Sequence, residues 1–209
     1  MNKHLIVYVR KPEAGRSKTR LGARIGHQQA AGVYTRLLFS YLSDLLKSDS
    51  LKDAAITLSA ADKDSAVFFR AAYPELRIIE QITGGLGERM RASFDDVFAL
   101  GAEAAVLTGS DIPLLDAEMA AQAFTQLKEN EIVLGPAEDG GYYLIGFRKP
   151  GWNVFDNIPW STESVLEVTL TQVNELGLKK TLLPKGYDLD VEADHQRWVK
   201  SLKNEEAEG

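Results

Sequence analysis

Short apolar segments alternate with amphipathic segments along most of the chain, and this alternation limits the fold more than any other sequence feature. The apolar runs predict strands at 5–9, 53–58, 76–80, 104–107, 131–134, 142–147 and 179–183. Apolar residues at helical spacing predict helices at 27–47, 65–72, 88–100, 116–128 and 163–176, and a last helix that ends near 202. Strands that alternate with helices predict an α/β fold, namely a three-layer α/β/α sandwich around a mostly parallel sheet of about seven strands.

The chain length of 209 residues suits one such domain, which we place at 1–203, followed by an acidic tail at 204–209. No apolar run approaches the ~20 residues that a bilayer-spanning helix requires. The first residues have no signal-peptide layout, and the absence of cysteine excludes disulfides and thiolate metal sites. We therefore expect a cytoplasmic protein without a membrane span.

The net charge of −6 argues against a protein that coats nucleic acid, but not against a small anionic ligand bound where positive charge is concentrated. Such a concentration follows the first predicted strand. Its basic residues are Arg10, Lys11, Arg16, Lys18, Arg20 and Arg24.

The basic loop lies where α/β proteins bind phosphate, between the first strand and the following helix. It is not a Walker A loop, because Ser17 stands where glycine is required, and it is not a dinucleotide-binding G-x-G-x-x-G loop. Gly15 would let backbone amides approach an anion, and Lys18 and Arg20 would supply charge. The alternative is a solvated basic turn. The predicted phosphate-binding residues of this loop are Arg10, Lys11, Gly15, Lys18, Thr19 and Arg20.

Asp111 follows the buried run 104–107 within the sequence Gly-Ser-Asp-Ile-Pro-Leu-Leu. This places it just past the carboxyl end of a strand, where open α/β sheets bind their ligands. Pro113 prevents the chain from entering a helix directly, so the next helix begins after Leu115 with Asp116 as its N-cap. The pattern presents a carboxylate on a stiff corner, as a divalent metal ligand requires. The alternative is a strand-to-helix turn without a functional role.

Two further acidic segments are candidate sites. Asp139 precedes the pair Gly140-Gly141, which permits close backbone approach to a ligand, although Asp-Gly also favours a hairpin between 131–134 and 142–147. Asp188 and Asp190 lie on one side of an extended segment, and with Asp111 they would offer Mg²⁺ its preferred oxygen ligands. Asp190 could equally be the N-cap of the last helix.

The segment 148–161 shows no periodicity and contains Trp152 and Trp160, which could line a pocket. Trp198 is expected to pack in the interior. The irregular segment could also form a lid or a contact within a homodimer, and the sequence does not choose among these.

Four motifs in order make the chain resemble the nucleotide-diphospho-sugar transferase superfamily, which has the glycosyltransferase-A type of fold. Lys11-Pro-x-x-Gly-x-x-Lys-Thr-Arg-Leu21 resembles its basic phosphate-binding loop, and Ser110-Asp-Ile-Pro113 its Asp-x-Pro metal motif. Asp188-Leu-Asp190 resembles its late Asp-x-Asp, although Val191 and Glu192 replace the usual Thr-Pro. The segments 85–90, 109–113 and 135–146 resemble a bacterial family usually labelled as glycosyltransferases.

The resemblance, which covers about 5–198, implies a metal-dependent transferase that uses an activated nucleotide. In glycosyl transfer from a nucleotide-diphospho-sugar to a small acceptor, Asp111, Asp188 and Asp190 would hold Mg²⁺ or Mn²⁺. Arg20 would act with Asp111 and Asp139 in catalysis, and Asp139 would orient or deprotonate the acceptor. The remaining implied residues are Gly85 and Arg89 for the nucleotide phosphates, and Glu138, Asp139, Gly140 and Gly141 for the acceptor or sugar pocket.

Two alternatives remain open. One is a nucleotidyltransferase that joins an NTP, such as GTP, to a small phosphorylated acceptor and releases pyrophosphate. The other is a non-catalytic nucleotide-binding module.

Overall fold

The structure, a computed structural model, describes residues 1–113, 115–149 and 153–208, with side chains described up to residue 202. Its strands are β1 Lys3–Val9, β2 Ala54–Ala60, β3 Arg77–Glu80, β4 Ala104–Thr108, β5 Ile132–Pro136, β6 Tyr142–Phe147 and β7 Lys180–Leu182. Its α-helices are α1 Thr19–Ile25, α2 His27–Lys47, α3 Lys63–Ala72, α4 Leu86–Ala99, α5 Ala117–Gln126, α6 Val165–Glu175 and α7 Glu192–Glu208.

The strands form one sheet in the order β3-β2-β1-β4-β6-β5-β7. All neighbouring pairs are parallel except those that involve β6, which runs antiparallel to both β4 and β5. The prediction of a mostly parallel sheet of about seven strands is therefore confirmed, and β5 and β6 are joined as the Asp-Gly signal indicated. Strand order reverses at β1, which lies between β2 and β4, so ligand binding is expected at the carboxyl ends of these strands.

Helices cover both faces of the sheet, as predicted. Alternate side chains of β1 point to opposite faces, so Leu5 and Val7 pack with α2, α3 and α5, whereas Ile6 packs with α4 and α6. A third apolar cluster joins α1, α2 and α7 through Leu21, Leu37 and Trp198. Trp198 is thus an interior residue, as expected. Among the described helices, none is long and apolar enough to cross a membrane.

Helix α1 was not predicted. Its sequence is short and basic and contains Gly22, so neither helical periodicity nor helix propensity marks it. Tertiary contacts form it, because Leu21 is fully buried against α2 and α7. Gly26, with φ +94°, then separates α1 from α2.

The ends of several elements also differ from the predictions. β2 continues to Ala60 and β5 to Pro136, so both strands extend further toward the site. The last helix continues to Glu208 rather than ending near 202, because its sequence contains no glycine or proline before Gly209. The N-cap prediction at Asp116 is confirmed, since its side chain accepts a hydrogen bond of 2.7 Å from the Met119 amide.

We expect a pH dependence of stability that originates at His4. Its buried Nε2 lies 2.7 Å from Thr57 Oγ1, and burial, with Arg77 adding to it and Asp96 opposing it, holds the pKa of His4 below 6.5. A histidine whose pKa is lower in the folded than in the unfolded state stabilises the folded protein fully at pH values above its unfolded-state pKa. This contribution to stability is lost as the pH falls below 6.5. In urea unfolding between pH 8 and 5, His4→Gln should therefore lose less stability than the wild type below pH 6.5. His27→Gln, at an exposed position, should follow the wild type, and parallel curves for all three proteins would contradict the assignment.

Candidate functional site

The loops after β1 and β4 meet the segment before α7 through one ammonium group. Lys18 Nζ lies 2.7 Å from Asp111 Oδ2 and 2.9 Å from Asp190 Oδ1. The lysine side chain is only 4% exposed, whereas those of Asp111 and Asp190 are 38% and 46% exposed. Residues from three distant parts of the sequence thus converge beside the point where strand order reverses.

The backbone of the basic loop holds Lys18 in this position. Lys18 has φ 48° and ψ 51°, a left-handed conformation, immediately before α1. The buried Ser17 hydroxyl donates to the Lys11 carbonyl at 3.3 Å and accepts from the Glu13 amide at 3.2 Å, which closes the loop on itself. Ser17, which made the sequence depart from a Walker A loop, therefore has a structural role here.

A tyrosine of α2 links the basic loop to the β4 turn. The Tyr34 hydroxyl accepts a hydrogen bond from the Arg10 amide at 3.1 Å and lies 3.1 Å from Ser110 Oγ. These bonds connect the end of β1 to the residue next to Asp111. The relative position of the cationic loop and the carboxylate is therefore set by a buried side chain.

The protonation states of the cluster follow from its crowding. Burial lowers the pKa of Lys18, but the carboxylates of Asp111 and Asp190 raise it by more, so the ammonium is held in its charged form. Burial, followed by the neighbouring carboxylates of Asp111, Asp139 and Asp190, raises the pKa of Asp188 to about 7, against the opposing effect of Lys18. Four carboxylates are therefore close enough to influence one another.

Two adjoining cavities open on this cluster. The smaller, of about 450 Å³, is lined by Arg10, Arg16, Lys18, Tyr34 and Gln81, among others. The larger, of about 670 Å³, is lined by aromatic and acidic side chains and by the segment 160–163. The two cavities share Tyr8, Leu86, Gly109 and Asp111. Asp111 thus stands between a basic cavity and an acidic one.

The other predicted residues of the basic loop have different environments. Arg10 and Arg16 line the smaller cavity, and both contact Asp62 Oδ2, at 3.2 and 3.3 Å. Lys11 donates its amide to Ser65 Oγ at 3.0 Å, and Thr19 is exposed as the first residue of α1.

Arg20 and Gly15 lie at the exposed side of the loop. Arg20 is 80% exposed, lines the larger cavity and lies 3.9 Å from Asp190 Oδ2. Gly15 has φ +79° and open space where a Cβ would be.

The glycine-rich segment before α4 leads into Leu86, which lines both cavities, whereas Gly85 lines neither. Gly85 is the N-cap residue of α4, and its amide donates to Glu88 Oε2 at 2.7 Å. Arg89 donates from Nε to the Gly84 carbonyl at 2.9 Å. Burial raises the pKa of Tyr8 to about 12, although the contact with Ser93 and the charge of Arg89 both act to lower it. Arg89 is therefore close to a wall of the site without being among the residues that line either cavity.

The acidic segment 138–141 is divided between two surfaces. Asp139 and Gly141 line the larger cavity, and Asp139 Oδ1 accepts from the Gly141 amide at 2.9 Å. Glu138 instead forms a salt bridge with Arg197 of α7, at 3.0 Å. The structure therefore places Glu138 outside the predicted acceptor pocket, because α7, whose contacts the sequence pattern did not indicate, supplies a partner.

Gly140 connects this segment to α6. It has φ +87°, and a Cβ at this position would lie 2.6 Å from the carbonyl carbon of Glu163. The Gly140 carbonyl also accepts from the Leu166 amide at 2.8 Å. The predicted close backbone approach is thus made to the protein itself.

The structure distinguishes the two roles predicted for Asp190, a carboxylate of the site and the N-cap of the last helix. Its carboxylate contacts Lys18, whereas the cap of α7 is supplied by Asp194, whose Oδ2 accepts from the amides of Asp190 and Val191 at 3.0 and 2.9 Å. Asp190 is therefore not the N-cap side chain of the last helix. Its carboxylate belongs to the site.

The sequence reasoning did not identify several residues that line the site. Tyr8 alternates out of the apolar pattern of β1, and Tyr142 begins β6, so both looked like ordinary strand residues. Ser161 ends the segment without periodicity, Thr162 follows it, and Glu163 was predicted to begin a helix that the structure starts at Val165. Trp160, considered as a pocket residue, does line the larger cavity, and Trp152 lies outside the described residues.

The chemistry of these carboxylates suits a divalent cation, but their arrangement does not form a complete coordination shell. Among the described residues, no group of three or more His, Cys, Asp or Glu side chains is arranged to hold a metal ion, and Lys18 Nζ lies between two of the predicted ligands. Mg²⁺, however, is usually bound through one or two carboxylates together with substrate phosphates and water. Asp111 and the crowded Asp188 and Asp190 offer this kind of donor set beside the basic cavity.

Comparison with known families and structures agrees with this fold. Residues 44–162 match the model of a bacterial family described as "Uncharacterized protein conserved in bacteria (DUF2064)". A crystal structure from Desulfovibrio desulfuricans G20, described as a candidate nucleotide-diphospho-sugar transferase, is similar at 34% identity. The similarity covers 91% of this chain and 84% of that one, with a TM-score of 0.85. Comparison with the curated proteins found no match.

Two more distant structures share the fold. A CMP:2-keto-3-deoxy-manno-octonic acid synthetase solved with CTP is 12% identical, with a TM-score of 0.57 over 99% of this chain and 100% of that chain. Rv0371c from Mycobacterium tuberculosis H37Rv, solved with manganese, is 16% identical, with a TM-score of 0.55 over 96% of this chain and 100% of that chain.

Proposed function

Since this chain belongs to the bacterial family DUF2064, within the nucleotide-diphospho-sugar transferase superfamily, we propose that it is a metal-dependent glycosyltransferase. Its donor is a nucleotide-diphospho-sugar and its acceptor is a small molecule with a hydroxyl group. The observation that carries this proposal is the position of Asp111 and its partner Lys18 between a basic and an acidic cavity.

The smaller cavity binds the nucleotide part of the donor. Arg10, Arg16 and Lys18 line it, and Lys18 offers an ammonium that can exchange a carboxylate partner for a phosphate oxygen. The superfamily's known use of nucleotides and the CTP bound to one relative of the same fold agree with this assignment. The sugar then extends past Asp111 toward the larger cavity.

Asp111, Asp188 and Asp190 are the residues that would hold Mg²⁺ or Mn²⁺, and the manganese bound to one relative of the same fold supports this choice. When bound there, the cation supplies charge neutralisation at the diphosphate leaving group. Arg20, exposed beside Asp190, adds a positive charge at the same place.

In the transfer step, the acceptor oxygen forms a bond to the anomeric carbon of the sugar. The bond from that carbon to the diphosphate oxygen breaks, and its electron pair leaves with the nucleoside diphosphate. Asp139, whose carboxylate borders the larger cavity, orients the acceptor hydroxyl and takes its proton. The products are the glycosylated acceptor and a nucleoside diphosphate.

A second candidate is nucleotidyl transfer, in which a phosphorylated acceptor attacks an NTP and pyrophosphate leaves. The observation that favours it is the concentration of Arg10, Arg16 and Lys18 along the smaller cavity, since a triphosphate needs more positive charge than a diphosphate. Asp62 offsets part of this charge through its contacts with Arg10 and Arg16.

Thermal unfolding with a panel of nucleotides tests the proposal. Nucleoside triphosphates and nucleotide sugars are each added with and without Mg²⁺ or Mn²⁺. A ligand at a hundred times its dissociation constant should stabilise the protein by about 2.7 kcal/mol. We expect this stabilisation from a nucleotide sugar in the presence of metal, and loss of the metal-dependent part in Asp111→Asn.

Asp53→Asn, at an exposed turn remote from both cavities, is the matched control and should respond as the wild type does. Stabilisation by a triphosphate but by no nucleotide sugar would favour nucleotidyl transfer. If no nucleotide stabilises the protein in a metal-dependent way, the proposed function is wrong.

A further inference from the structure

We infer that the larger cavity accepts an uncharged or positively charged hydroxyl compound and rejects phosphorylated and carboxylated ones. The inference rests on the proposed function only in naming this compound the acceptor. It deepens that proposal, because the two candidate reactions differ in whether the acceptor carries a phosphate.

The charge of the cavity lining is the first observation. Five carboxylates line it, those of Asp111, Asp139, Glu163, Asp188 and Asp190. Among the described lining residues the cation is Arg20, which is 80% exposed. The sites of phosphate binding in proteins instead offer arginine, lysine or unpaired amides.

A bound divalent cation does not reverse this charge. The two charges of the cation, together with one from Arg20 and one from Lys18 beside Asp111, give four positive charges. The five carboxylates carry up to five negative charges, so the lining does not become positive. The donor's own phosphates would then add negative charge at the same place. A phosphate ester in the larger cavity would therefore meet like charges in a partly enclosed site, which is unfavourable.

The apolar wall of the cavity is the second observation. Trp160 is half-buried, and its indole packs against the backbone of α4 at Gly87, where a Cβ would lie 3.0 Å from the ring. The Trp160 and Tyr142 rings meet edge to face, with centroids 6.4 Å apart, and Phe155 supports Trp160 from behind. Tyr8, Leu86 and Met90 also line the cavity.

A cavity lined by both aromatic rings and carboxylates can recognise two kinds of ligand. The C–H face of a sugar or polyol packs on aromatic rings while carboxylates accept its hydroxyl hydrogen bonds. A cationic group is attracted both by the ring face and by the carboxylates. Neither arrangement provides for an anion.

Fluorescence quenching of Trp160 measures the charge of the cavity directly and requires no donor. The quenching of the protein's tryptophan fluorescence is measured with caesium and with iodide, and each value is divided by the quenching of free N-acetyltryptophanamide by the same ion. The contribution of Trp160 is the difference between the wild type and Trp160→Phe. We expect caesium to quench Trp160 roughly threefold or more better than iodide. Glu163→Gln should reduce this ratio, and Glu129→Gln, at an exposed loop elsewhere, should not.

Acceptor class is measured with three matched probes at equal concentration: glucose, glucosamine and glucose 6-phosphate. We expect the first two to protect Trp160 from acrylamide and glucose 6-phosphate to protect it at least tenfold less well. If Trp160→Phe does not fold, the variant Trp152→Phe/Trp198→Phe leaves Trp160 as the only tryptophan.

Equal or better quenching by iodide overturns the inference, as does preferred protection by glucose 6-phosphate or protection by none of the three probes. The nucleotide panel is a separate test, because the quenching of Trp160 is measured without donor or metal. A failed panel with the expected quenching would therefore reject the proposed function and leave the charge preference of the larger cavity in place.

Discussion

Gly140→Ala is expected to destabilise the protein by about 3 kcal/mol. The left-handed backbone at φ +87° costs an L-residue about 1–2 kcal/mol. In addition, the new Cβ would lie 2.6 Å from the Glu163 carbonyl carbon, so backbone must move, and overpacking of this kind typically costs ~1–3 kcal/mol. The clash is with main chain rather than with a flexible side chain, so it cannot be relieved by a rotamer change.

Gly101→Ala provides a matched control for the conformational part of this effect. Gly101 has φ +88°, nearly the same as Gly140, and no atom lies within 4 Å of the Cβ position. In urea unfolding, Gly101→Ala should lose about 1 kcal/mol, and the additional loss in Gly140→Ala measures the contact with Glu163. Equal losses in the two variants would show that the segment at 163 yields without cost.

The same substitution should also disturb the larger cavity. Gly140 is flanked by Asp139 and Gly141, and its carbonyl accepts the Leu166 amide near the start of α6. A displacement of this contact moves the Asp139 carboxylate relative to Glu163. We therefore expect Gly140→Ala to weaken the protection of Trp160 by sugar probes even under conditions where the variant is folded.

The sequence predicts those parts of the fold whose cause is local. Helix α2 has the predicted bounds, His27–Lys47, because its apolar residues recur at helical spacing over many turns. Strand β6 likewise has the predicted bounds, since turn signals flank its apolar run. The corner at Asp111 was also predictable, because Pro113 and the Asp116 cap restrict the backbone on their own.

The parts that could not be predicted depend on pairs of residues far apart in the chain. The basic loop indicated a charged lysine, but not that Asp190, 172 residues later, would contact it. The sequence predicts Glu138 as a pocket residue, whereas in the structure it forms a salt bridge with Arg197 of α7. The Arg197 side chain also stacks over Tyr187, with its guanidinium carbon 3.9 Å from the ring centroid. Such contacts follow from how the helices pack, and a single sequence carries little information about that.

Replacing Lys18 by methionine should weaken both stability and donor binding. The ammonium is buried between Asp111 and Asp190, and its loss leaves these carboxylates facing each other without a cation. A fully buried pair broken in this way loses about 3–5 kcal/mol. Because both carboxylates are more than a third exposed, solvent screens part of the effect, and we expect a loss of about 1–2 kcal/mol.

Donor binding should fall more strongly than stability. A hydrogen bond from a charged group to phosphate contributes about 1.5–3 kcal/mol, so the dissociation constant of the stabilising nucleotide should rise roughly 10- to 100-fold. Isothermal titration at fixed metal concentration measures this change. Lys52→Met, at an exposed position after α2, should leave both stability and nucleotide affinity as in the wild type.

The pH dependence of the difference between wild type and Lys18→Met identifies the charge as the cause. The folded-state pKa of Lys18 is raised above 10.5, with burial opposing and the two carboxylates favouring the charged form. Its contribution to stability is therefore fully present below pH 10.5 and is lost as pH rises through the folded-state pKa. Urea unfolding should give a constant difference from pH 8 to 10 and a shrinking one above 10.5. A difference that stays constant to pH 11.5 would mean that Lys18 stabilises the cluster by packing, and that its ammonium is not the cation that the carboxylates require.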